Sequence, residues 1–279
     1  MKMLHGTALA GTVSALLAFT PDVSAGVTGQ PASGPCDLSA GLSANAASAL
    51  EQARTCLLSP PAGVQVREDV ARDLAELVNR RREKFGLDPL TLRPAFSSAS
   101  GIHAVDLAVR GYAAQSDLEG RDHEYRLRLL DRQALISASG AVITILPSGS
   151  DAVAAYNAAL TDSVNAENLL REEFTHLGLS TIESDGLLYT VILLARVDGE
   201  LDAPLSVSAP GAADLEFAIA DPRLRFDRWA LERESGDRLA AGLNTRLDRA
   251  RSEAATAFLD VHVTDGRDVL VLKGPVVGD

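Results

Sequence analysis

Phe174-Thr175-His176-Leu177-Gly178-Leu179-Ser180-Thr181-Ile182, then Glu183-Ser184-Asp185-Gly186, then Leu187-Leu188-Tyr189-Thr190-Val191-Ile192-Leu193-Leu194-Ala195 is the stretch that decides the fold. Two runs rich in β-branched and aliphatic residues flank an Asp-Gly pair, and that pair supplies the positive φ angles a tight hairpin needs. The reading is an antiparallel hairpin. Upstream of it the apolar period is 3.6, so the segment has helices first and strands last. Such an order packs helices against a small sheet, an α+β arrangement.

Working back toward the N-terminus, Val66, Val70, Leu74, Leu77 and Val78 recur at steps of three or four and predict an amphipathic helix that stops near Phe85-Gly86. Pro89 prevents its continuation through Leu87-Asp88-Pro89-Leu90. A second helix is predicted from Pro94 to Arg110, with Gly111 as its stop, and a third over Tyr125 to Leu135. Ala141 to Leu146 reads as a buried strand between Gly140 and Pro147. Ser150, followed by Asp151, predicts an N-cap for a helix through Leu160.

The first 25 residues follow the order of a secretory signal: Lys2, an uncharged run from Gly6 to Thr20, then Val23-Ser24-Ala25 as a cleavage site. That run is shorter than the roughly 20 apolar residues that span a bilayer, and no later run reaches that length. Residues 26–65 form a leader containing Cys36 and Cys56, whose surroundings suggest a short helix. In an oxidising compartment this pair reads as one disulfide stabilising the fold by about 3 kcal/mol, with two buried thiols as the alternative. The formal net charge of −12 disfavours nucleic acid as a partner. The basic run Arg80-Arg81-Arg82, with Glu76 and Glu83 around it, reads as a solvated helix face.

Several short motifs occur in an order that belongs to one family. Leu77-Val78-Asn79-Arg80 and Gly86-Leu87-Asp88-Pro89-Leu90 are followed by His103-Ala104-Val105-Asp106-Leu107-Ala108 with Gly111-Tyr112. Next come Gly120-Arg121 with Arg126-Leu127, Asn168-Leu169-Leu170, Phe174-Thr175-His176-Leu177-Gly178-Leu179 and Tyr189-Thr190. Together, over about residues 66–196, they resemble a bacterial CAP domain, the superfamily of cysteine-rich secretory, antigen 5 and pathogenesis-related proteins. The resemblance implies an α-β-α sandwich with a cleft normally lined by two His and two Glu, a site that binds divalent metal in some relatives. This chain departs from that pattern. Gln115 stands where the family has a His after Gly-Tyr, Gly140-Ala141-Val142 where it has Gly-Glu-Asn, Asn165 where many bacterial members have a His, and Thr190-Val191 where the last strand has Thr-Gln. An amide is no general base, and Ala and Val carry neither proton nor lone pair. The expectation is therefore a cleft of Gln115, Asn165, His176, Tyr189 and His103 with no catalytic residue, no metal and no cofactor.

Other constellations are weaker. His103 and Asp106 lie one helical turn apart and read either as a base with its orienter or as a half-buried His in a helix. His123-Glu124 lacks the second His that a zinc-protease helix needs, since Leu127 stands there. After residue 200, a Pro- and Ala-rich stretch with Pro204, Pro210 and Gly211 suggests a boundary before a small β-rich unit, residues 201–279. In that unit Thr264-Asp265-Gly266-Arg267 predicts a second hairpin, and Leu239 to Ala257 reads as a helix or a loop. The functional expectation is an extracytoplasmic binding module for a small apolar molecule or an envelope protein. An extracytoplasmic hydrolase built on His103, Asp106 and His176, and a structural or assembly protein, are the alternatives.

Overall fold

The computed structural model describes residues 36–208, 212–248 and 256–278. The signal and leader readings for residues 1–34, and Pro210 and Gly211 of the boundary, lie outside the described residues. The described chain begins with α1 (Ala46–Leu58), β1 (Gln65–Val66), α2 (Glu68–Lys84), β2 (Thr91–Leu92) and α3 (Pro94–Arg110). It continues through α4 (His123–Leu130), β3 (Ala134–Pro147), α5 (Ala152–Thr161), α6 (Ser163–Leu170), β4 (His176–Ser184) and β5 (Leu187–Leu201). The remaining elements are all strands: β6 (Ala212–Asp214), β7 (Phe217–Ile219), β8 (Arg225–Glu232), β9 (Arg238–Gly242), β10 (Arg246–Asp248), β11 (Ala257–Thr264) and β12 (Val269–Val277). The protein is α+β.

Among the described residues, ten strands form one sheet in the order β1-β4-β5-β3-β12-β11-β8-β9, with β2 added to β4 and β7 to β5. Strand alternation sends Val191, Leu193 and Ala195 of β5 to one face, against Phe96, Ile102 and Leu107 of α3. Leu188, Ile192 and Leu194 go to the other face, against Val70, Leu74 and Val78 of α2 and the alanines of α5. Helices thus cover both faces, in three layers. A third cluster built on Trp229, Leu231, Leu259, Val261 and Leu272 fills the C-terminal strands. Arg128 of α4 ties these strands to the helices, donating to the carbonyls of Gly274 and Leu259 and to the Asp260 carboxylate, each at 2.7 Å.

The β4–β5 hairpin closes on the Ser184–Leu187 pair, with Asp185 (φ 49°) and Gly186 (φ 77°) both left-handed, as the Asp-Gly signal requires. The second hairpin closes on Thr264–Val269, and the Asp265 carboxylate accepts from the Arg267 and Asp268 amides. Four local readings need correction. Val66 pairs with Ile182 in β1, so α2 starts only at Glu68. The third helix ends at Leu130 because Asp131 takes an extended backbone and its buried carboxylate accepts from the Gln133 and Ala134 amides, which sends Leu135 into the buried start of β3. Asp151, not Ser150, caps α5 by accepting from the Ala154 amide. Residues 238–242 form β9 against β8 rather than a helix or loop, because Ala240 and Ala241 pair with Leu231 and Ala230.

Cys36 and Cys56 form a disulfide across a sequence separation of 20 residues, and both are buried with the α1 residues Ala49, Leu50 and Ala53. Reduction is expected to lower the unfolding free energy by about 3 kcal/mol. Thermal unfolding with and without a phosphine reductant measures it; an unchanged midpoint would mean that α1 is held by packing alone.

Candidate functional site

The cleft forms where the loop after α3 meets the α5–α6 junction over β3. Gly111 ends α3 in the left-handed conformation (φ 67°), which releases the chain into that loop. Two buried side chains then hold it. His103 Nε2 donates to the Ala114 carbonyl at 2.9 Å. Arg126, 2% exposed, donates to the carbonyls of Gln115 and Arg121. From the loop, Gln115 Nε2 reaches the Ala141 carbonyl at 3.3 Å, and Asn168 Nδ2 of α6 reaches the same oxygen at 3.2 Å. Asp162 caps α6 by accepting from the Asn165 amide at 2.9 Å. The result is a cleft of about 430 Å³ with Ile143 and Ile145 as floor and Gln115, Asp162, Val164 and Asn165 on its walls.

Burial, helped by the nearby Arg126 charge, pulls the His103 pKa down to about 3. The ring is therefore neutral at physiological pH, with the proton on the nitrogen that faces Ala114 and Nδ1 left without a partner. Burial likewise lowers Arg126 to about 10, so its guanidinium stays charged near neutrality. His123 adds a bond from Nε2 to Ser139 Oγ at 3.1 Å.

Two of the five sequence-derived cleft residues, Gln115 and Asn165, line the cleft together. His103 lies behind it and acts through the loop. Tyr189 sits on the same sheet face, paired across strands with Ile145 and Ile182, but it is buried and outside the lining. His176 is elsewhere: it opens β4, its ring lies edge-on to Phe96 at 6.5 Å, its Nδ1 bonds Thr175 Oγ1 at 2.8 Å, and burial and Arg93 lower its pKa. Asp106 does not orient His103. Its carboxylate takes both guanidinium arms of Arg110, at 2.7 and 3.0 Å, and the Tyr112 hydroxyl. Asp162, Ile143, Ile145 and Arg126 were not read as cleft residues, although Arg126 stands in a family motif and both isoleucines in the predicted strand; for Asp162 the cap signal before α6 was the one local cue. Among the described residues no group of three or more His, Cys, Asp or Glu side chains could hold a metal ion, and no described helix is long and apolar enough to cross a membrane.

No protein-family model matches the chain, and no curated protein matches it. Among solved structures the chain is similar to an outer surface protein from Borrelia burgdorferi (TM-score 0.43, 15% identity, covering 48% of this chain and 98% of that one). It is also similar to an extracellular protein containing a SCP domain from Bacillus anthracis (TM-score 0.39, 22% identity, 46% of this chain and 41% of that one). A third is a cysteine-rich secretory protein from Staphylococcus aureus (TM-score 0.35, 12% identity, 46% and 39%). The match thus spans about two-fifths of the Bacillus and Staphylococcus chains.

Proposed function

We propose that this is an exported, non-catalytic binding protein with a CAP-like domain over residues 66–200, and that its cleft takes a small apolar molecule. The observation that carries the reading is the meeting of Gln115 and Asn165 above the Ile143–Ile145 floor. An apolar cavity with a few convergent polar groups is the usual build of a small-molecule site. Both amides can donate and accept, so they suit a ligand with a hydroxyl or carbonyl at one end. The buried disulfide fits an oxidising compartment outside the cytoplasm. The β-rich residues 201–279 are read as an appended unit that braces α4 through Arg128. The hydrolase alternative is less well supported, because Asp106 is engaged by Arg110 and Tyr112 and His176 stands against Phe96.

Native mass spectrometry of the chain recovered from an export compartment, repeated after denaturing extraction, is expected to show an excess mass that denaturation releases. Gln115→Ala is expected to weaken retention of that molecule about fivefold to tenfold, the worth of one hydrogen bond of about 1 kcal/mol. Val164→Trp, which fills the cleft from an exposed position, is expected to abolish it. An unchanged ligand load in both variants, at unchanged thermal stability, would move the site away from this cleft.

A further inference from the structure

A larger concavity, of about 780 Å³, lies along the opposite layer of the molecule, beside α2. Its apolar lining comes from Ala71 and Ala75 of α2, Leu87, Pro89, Leu92 and Leu179. Leu92 is 56% exposed, an unusual position for a leucine in a strand. Along the α2 rim the charges alternate: Glu68, Arg72, Glu76 and Arg80 follow one another at four-residue steps, about 6 Å apart at 1.5 Å per residue. The only ion pairs these four make among the described residues are long and exposed, Arg80–Glu76 at 3.3 Å and Arg72–Asp73 at 3.4 Å.

We propose that this groove is the interface of a two-fold dimer, occupied by α2 of a second copy. The charge order selects the occupant and its register. A two-fold axis across α2 sets the two helices antiparallel. Centred at Leu74, it places Glu68 opposite Arg80 of the partner subunit and Arg72 opposite Glu76 of the partner subunit, and each contact occurs twice. Centred at Glu76, it would set that carboxylate against its own copy and Arg72 against the partner's Arg80, so like charges exclude the neighbouring register. Ala71 and Ala75, one turn apart, let the helices come within the 8–10 Å of a close helix pair. Exposed ion pairs contribute little affinity. The charges therefore set the register, and burial of Leu87, Pro89 and Leu92 supplies the attraction.

Sedimentation equilibrium of the full chain over a concentration series tests this, with far-UV circular dichroism and thermal unfolding as the check that every variant folds. The wild type is expected to sediment as a dimer at tens of micromolar. Glu68→Arg and Arg80→Glu, each of which turns two attractive contacts into repulsive ones, are expected to weaken dimerisation at least about tenfold. The double variant restores opposite charges across the axis and is expected to recover dimerisation. Ala75→Arg, which blocks helix approach, is expected to give monomer. A wild type still monomeric at about 100 µM, well above the concentration at which the dimer is expected, would overturn the proposal and leave the groove to a small molecule or another protein. So would a folded double variant that stays as monomeric as the single ones. Neither result bears on ligand binding in the Gln115–Asn165 cleft.

Discussion

Replacing Arg82 with alanine is expected to lower the unfolding free energy by about 3–5 kcal/mol, although the residue belongs to a basic run. Its side chain is fully buried. The guanidinium donates to four main-chain carbonyls: Asp88 at 2.8 Å, Leu169 at 3.0 Å, Arg171 at 2.9 Å and Phe174 at 3.3 Å. Those carbonyls belong to the turn after α2, the last turn of α6 and the connection from α6 into β4, which Arg82 holds together beside the short β2–β4 ladder. Alanine would leave the buried carbonyls of Leu169 and Phe174 without this donor, at about 1–3 kcal/mol for each one that stays unpaired, whereas Asp88 is exposed to water and the Arg171 carbonyl keeps the Phe174 amide. Part of this is offset, because burying the cation was itself unfavourable, as its lowered pKa reflects. Lysine would not rescue the site, since a single ammonium cannot span four carbonyls set around a planar fork. Thermal and denaturant unfolding measure the effect; for a chain of this size a loss of that order moves the midpoint by about 10 °C. A change under about 1 kcal/mol would mean that water takes the place of the guanidinium.

Arg82 also shows where the sequence was legible and where it was read too narrowly. The triple-arginine run with flanking glutamates has the composition of a solvated face, and Arg80 fits that reading. Yet Val70, Leu74, Val78 and Arg82 recur every four residues, and all four are buried. The periodicity placed Arg82 on the core stripe, while its charge argued against that; only carbonyls 87 to 92 residues away in sequence settle the matter. Features closed by local chemistry were legible: Pro94 and Gly111 bound α3, and Asp185-Gly186 turns the hairpin. Features closed by distant partners were not. β9 depends on the register of β8. In the cleft, Gln115 and Asn165 were found by position relative to a family motif, but His176 was misplaced because the sequence could not show that Phe96 and Arg93 would surround it. The Ile143–Ile145 floor could be recognised only once strand alternation was fixed.

Gly178→Ala is expected to cost more than about 3 kcal/mol and to impair the cleft as well. A Cβ at Gly178 would lie 2.2 Å from the Phe96 carbonyl carbon and the Ser97 nitrogen, and 2.4 Å from Phe96 Cβ. The first two are main-chain atoms, so no rotamer change relieves the clash; α3 must move off β4. Ser100 Oγ to the Gly178 carbonyl at 3.0 Å and the Leu179 amide to Ser97 Oγ at 3.3 Å would be strained with it. Gly274→Ala is the matched control. Its Cβ would meet mainly the flexible Leu135 Cδ2 at 3.1 Å and the Leu259 carbonyl at 3.2 Å, a contact that a few tenths of an ångström relieve. A cost of about 1 kcal/mol is expected there. The link to function runs along α3, which also carries His103, the donor that fixes the Ala114 carbonyl and so the loop holding Gln115. If α3 shifts, that loop shifts, and ligand retention should fall in Gly178→Ala even at temperatures where the variant remains folded. Denaturant unfolding of both variants, with native mass spectrometry of the folded fraction, separates the two effects. A destabilised Gly178→Ala variant with an undiminished load of the proposed ligand would show that the loop keeps its place without the His103–Ala114 bond.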